Sequence, residues 1–130
     1  MASYALSATI DRDFDTTVAD VKAALGDQGF GVITEIDMQA TLQTKLGVEI
    51  DRQVILGACN PGFAHRALQA EPSIGLLLPC NVVVRATPEG TVVEMIDPAM
   101  MTDLTGSPAI GDLAGDVKLR LSAALAAVAA

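Results

Sequence analysis

The sequence contains no tryptophan, one tyrosine and three phenylalanines in 130 residues, so it offers no aromatic platform for stacking bases or sugars. Basic side chains are scarce as well. Eight Lys and Arg face sixteen Asp and Glu, a formal charge of −8 with no compensating basic stripe, which argues against nucleic acid and anionic membrane surfaces as partners. No apolar run reaches the roughly 18 residues of a membrane span, and Met1-Ala2-Ser3-Tyr4 lacks the charged start of a signal peptide. The expected location is the cytoplasm. There are only two cysteines, and without an export signal they read as reduced thiols, because cytosolic thiol buffers oppose disulfides. A phosphate loop is missing too: no Gly-Lys-Ser/Thr follows Gly29, Gly31 or Gly57.

What the chain does have is aliphatic surface. Its length is that of one domain, residues 1–130, and the core must be built from Ala, Val, Leu, Ile and Met. Tyr4, Leu6, Ala8 and Ile10 alternate with Ala5, Ser7, Thr9 and Asp11, the period-two pattern of a strand. Asp13 or Asp15 then caps a helix whose Phe14, Val18, Val21 and Leu25 share a stripe, and Gly29 stops it. Phe30 to Ile36 reads as a second strand. Asp37 caps a short helix with a narrow apolar edge of Met38, Leu42 and Leu46, ending at Gly47.

The β-branched start of Gln53 to Cys59 predicts a third strand, after which Asn60 as cap and Pro61 as first helical residue open a helix through Glu71. Pro72 ends it. Leu76-Leu77-Leu78 has no deciding periodicity. Asn81 to Thr87 and Thr91 to Asp97 form a hairpin around Pro88-Glu89-Gly90, and Pro98 to Gly106 reads as a loop carrying Met100, Met101 and Leu104 exposed. Ser107 and Pro108 begin a last helix, with Ile110, Leu113, Val117, Leu121, Leu125 and Val128 at helical spacing. Lys118 and Arg120 lie near its middle without forming a cluster.

The expected architecture is α+β, β-α-β(4)-α: a single, mainly antiparallel sheet backed by the first and last helices, with short helices inserted between strands. Ile55 and Val83 would project opposite to Leu56 and Val84. The inserted helices or a second copy should therefore cover the sheet's other face.

One stretch concentrates soft and nucleophilic side chains. Gly57-Ala58-Cys59-Asn60-Pro61, Ala64-His65-Arg66-Ala67-Leu68 and Leu78-Pro79-Cys80-Asn81 hold both cysteines and the only histidine. With Glu71-Pro72, Ile74 through Val84, Gly29-Phe30-Gly31-Val32, Thr34-Glu35-Ile36-Asp37 and Asp97-Pro98, these segments resemble the bacterial domain-of-unknown-function family 302 over nearly the whole chain. The resemblance implies a TATA-binding-protein-like α+β fold and makes a homodimer an expectation. It implies no activity.

If the third and fourth strands are antiparallel neighbours, Cys59 and Cys80 meet at one rim of the sheet. Three readings follow. Both cysteines are small buried side chains; or Cys59 and Cys80, with His65 as third ligand and Asn60 and Asn81 as secondary contacts, hold a thiophilic metal or small molecule; or Cys59 is a nucleophile with His65 as base, its thiolate favoured by the helix start. The corresponding functions are a homodimeric interaction module, a small-ligand-binding protein and a thiol enzyme. Glu35 and Asp37 admit a paired-carboxylate reading, although capping by Asp37 accounts for one of them. Arg66 can hold an anion or merely be solvated.

Overall fold

The computed structural model describes residues 2–130, so Met1 lies outside the described residues. Five strands form one antiparallel sheet: β1 (Ala5–Ile10), β2 (Gly31–Asp37), β3 (Gln53–Cys59), β4 (Cys80–Thr87) and β5 (Gly90–Ile96), in the order β1-β5-β4-β3-β2. The third strand and the hairpin stand where the sequence puts them. Helix α1 (Phe14–Asp27) and helix α5 (Pro108–Ala129) pack against each other and against the same sheet face, giving a two-layer α+β domain.

The core lies between these layers. Leu56, Val82, Val84 and Val93 are fully buried on the sheet, opposed by Val21 and Leu25 of α1 and Leu121 of α5. On α1 the buried stripe is rotated from the one expected, while on α5 it keeps its expected centre, with Ile110, Val117, Leu121 and Val128 buried, and is narrower. Thr17 and Ala24 are buried where Phe14 and Val18 are only partly covered, and Ala114 and Ala124 are buried where Leu113 and Leu125 pack at the margin. Thr17 is tolerated inside because its hydroxyl donates to the Asp13 carbonyl at 2.8 Å.

The helix boundaries follow local chemistry. Asp37 accepts from Ala40 N at 2.9 Å to start α2 (Met38–Leu46), and Gly47 ends it in the left-handed region. Asn60 accepts from Phe63 N to start α3 (Pro61–Ala70), which is followed by a 3-10 turn over Pro72–Leu77. Pro98 to Gly106 is not a loop: Ala99–Thr105 is helical (α4), begun by an Asp97 side chain that accepts from Ala99 N at 3.0 Å and ended by left-handed Gly106. Met101 is consequently buried, while Leu104 remains 66% exposed.

The short helices do not cover the sheet's second face. α3 and α4 pack on α5, and α2 packs chiefly against β2 and β3 while burying no residue of its own. Pairing register places Ile36, Ile55, Val83 and Glu94 in one row on the side away from the helices.

Candidate functional site

β3 and β4 run antiparallel with Ala58 opposite Cys80, so Cys59 and Cys80 come to the same rim although 20 other residues separate them in the chain. Both line a cavity of about 40 Å³, walled by Phe30, Phe63, Leu78, Ile110 and Val117. That volume accommodates about one water-sized body rather than an organic ligand, and its hydrocarbon walls offer a water few polar partners. Cys80 is 5% exposed. Burial, with a smaller contribution from Cys59, pushes its thiol up to about 11, so it is protonated at neutral pH and a poor nucleophile. Cys59 is half-buried and unpaired.

Asn60 lines the same cavity, but its carboxamide is already engaged. Its Oδ1 accepts from Phe63 N at 3.2 Å, removing one of the amides that a Cys59 thiolate would need. Its Nδ2 faces Gly29, where a Cβ would stand only 3.0 Å away and where φ is +85°. Glycine is required there on both counts.

His65 and Asn81 do not join this cluster. His65 is exposed on α3 and outside the cavity wall, while Asn81 is exposed and lines a separate groove with Tyr4, Leu76, Ile96, Met100 and Leu104. The predicted set of Cys59, Cys80 and His65 is not assembled as metal ligands: among the described residues no three His, Cys, Asp or Glu side chains gather to hold an ion. The same separation leaves Cys59 without His65 as a base in this geometry.

Much of the Gly57 to Pro61 motif has a direct structural use. A Cβ at Gly57 would lie 2.1 Å from Thr34 Oγ1 and 2.8 Å from Pro79 Cγ, so only glycine lets β2 and the approach to β4 close over β3. Ala58 is 1% exposed in the core, Asn60 caps α3, and Pro61 occupies its first turn.

A pairing missed in the sequence lies one turn along α3. Arg66 and Arg120 both lean on the ring of Phe63, their Cζ atoms 4.8 and 5.4 Å from its centroid. Arg120 thus belongs to a cationic pair after all. Only the packing of α3 on α5 brings together two arginines so distant in sequence. Glu35 and Asp37 are committed elsewhere: Glu35 pairs with Lys22 at 3.0 Å and Asp37 caps α2.

Among the described residues no helix is long and apolar enough to cross a membrane. No curated protein matches the chain. A crystal structure of an uncharacterized conserved protein DUF302 from Bacillus stearothermophilus superposes with a TM-score of 0.90 at 30% identity, covering 97% of this chain and 98% of that one. The family described as "Domain of unknown function DUF302" matches residues 6–128. The chain belongs to this DUF302 family, a family of unknown function.

Proposed function

We propose that the domain is an interaction module that pairs with a second copy of itself through the open face of its sheet. The observation that carries this reading is the apolar row of exposed Ile36 and half-buried Ile55 and Val83, flanked by half-buried Val92 and Ile96, on the side opposite every long helix. At one end it runs into the apolar groove of Tyr4, Leu76 and Leu104, which are 56%, 87% and 66% exposed. Five strands at about 4.8 Å spacing and about 20 Å length present roughly 500 Å² in projection. With the groove added, this approaches the ~800 Å² per partner of a stable interface.

Charge selects the occupant. Arg85 and Glu94 are the only ionised side chains in the strand positions of this face, and they pair at 3.1 Å, leaving it neutral in a chain of −8. Two copies therefore meet here without the mutual repulsion that the rest of their surfaces would impose. Unbridged cysteines fit a reducing compartment such as the cytoplasm.

Sedimentation equilibrium tests the reading: wild type should be dimeric at about 100 µM, and Ile55→Lys should be a monomer with an unchanged circular dichroism spectrum. A monomeric wild type, or a folded Ile55→Lys variant that still dimerises, refutes it. A second, smaller role is supported by the two thiols sharing one cavity: a thiophilic body of about one heavy atom would fit between Cys59 and Cys80.

A further inference from the structure

Five of the eight cationic side chains lie within 3.2 Å of a carboxylate. Among the described residues the other three are Lys45, Arg66 and Arg120, and the two arginines converge on Phe63. With Cζ atoms 4.8 and 5.4 Å from one centroid, the guanidinium groups are at most about 10 Å apart, no farther than a Debye length at 0.1 M salt. Their repulsion is therefore only partly screened.

Neither charge has an acidic counterpart. Arg66 Nε donates to the Gly62 carbonyl at 3.3 Å and Arg120 Nη1 to the Gln28 carbonyl at 3.2 Å, which leaves most of the five N–H donors of each group free. Asp116 stands four residues before Arg120, a spacing at which helical Asp and Arg pair, yet no such ion pair forms. Arg120 reaches across to the end of α1 instead. The two arginines border an open recess of about 620 Å³ that also contains Gln28, Asp116 and Leu119.

We propose that Arg66 and Arg120, set on Phe63, bind a phosphate group, either free or as a phosphomonoester. A tetrahedral oxyanion accepts forked hydrogen bonds from two guanidinium groups at once and relieves the repulsion between them, which chloride at the same ionic strength does less well. Leu119, 73% exposed on the wall of the recess, offers apolar contact to an organic remainder. The Asp116 carboxylate opposes the anion and lowers its affinity.

The test is a two-dimensional amide NMR titration with inorganic phosphate and with phenyl phosphate, ionic strength being held constant with sodium chloride. Saturable shifts are expected at Gly62, Phe63, Arg66, Gln28 and Arg120. Arg66→Gln or Arg120→Gln should weaken binding by about tenfold while the rest of the spectrum stays native, and Asp116→Asn should tighten it by about threefold. Tighter binding of phenyl phosphate assigns the site to organic phosphates, and equal binding assigns it to the free ion. Shifts that never saturate, or that persist unchanged in a folded Arg66→Gln/Arg120→Gln variant, overturn the proposal.

Discussion

Replacing Gly57 with alanine adds one methyl group, and the geometry around it fixes the cost. Its Cβ would approach Thr34 Oγ1 to 2.1 Å and Pro79 Cγ to 2.8 Å. The threonine hydroxyl can rotate away, but Thr34 Cβ itself stands at 3.4 Å, and the proline ring can shift its Cγ only by changing pucker. Pro79 must move by about 0.6 Å or the strands must part, so the penalty falls in the upper half of the 1–3 kcal/mol typical of overpacking. At about 2–3 kcal/mol this is a large fraction of a domain's 5–15 kcal/mol. Urea denaturation should show a lower midpoint with an unchanged slope, and Tm should fall by about 6–12 °C. Thr34→Ala in the same background should recover about half the loss, because the two side chains compete for one space. The opposite sign is expected on α5. A Cβ at Gly115 meets nothing within 4 Å, so Gly115→Ala should stabilise by up to about 1 kcal/mol through helix propensity. If Gly57→Ala lies within about 0.5 kcal/mol of wild type, the steric account of this motif is wrong.

Two further predictions follow from the titrating groups. Cys80 should remain unmodified by a thiol reagent at pH 7 in native protein and react at once in urea, because its neutral thiol is 5% exposed; fast native labelling of Cys80 would contradict the packing seen here. Burial opposes ionisation of Asp97, but the Ala99 amide and Lys118 Nζ at 3.0 Å outweigh it, holding the carboxyl below its ordinary 3.8. A depressed folded-state value adds stability above the unfolded pKa, which is lost as the pH falls through the folded one. Asp97→Asn should therefore cost about 1 kcal/mol at pH 7, discounted for the half-exposed Lys118, and the gap from wild type should close below about pH 4 in acid unfolding curves.

Elements governed by local chemistry were legible from the residues alone. Asn60-Pro61 and Ser107-Pro108 mark helix starts because a side-chain oxygen and a missing amide each satisfy the backbone at that place. Gln53 to Cys59 and the Pro88-Glu89-Gly90 turn are equally local. The α4 helix was not, because it depends on Asp97 accepting from Ala99 N just ahead of it and on Met101 finding the core, and the apolar density of Pro98 to Gly106 is too low to announce either. The rotated stripe on α1 and the narrowed one on α5 depend on which residues the packed helices turn toward the core, which hydropathy spacing does not encode. At the rim, the meeting of Cys59 and Cys80 could be inferred from strand adjacency, while the exclusion of His65 turned on its direction along α3. Arg66 and Arg120 share Phe63 only through helix packing, for which neither segment carries a signature.

The strand order also sets a schedule for the nascent chain. β1 is hydrogen-bonded only to β5, with Ala5 opposite Ile96, so the first strand made must wait for the last. At 5–20 residues per second the ribosome leaves that amino-terminal segment unmated for on the order of 10 s. Its Leu6 and Ile10 stay available to wrong partners throughout that interval, and the sheet closes only once β5 has been made.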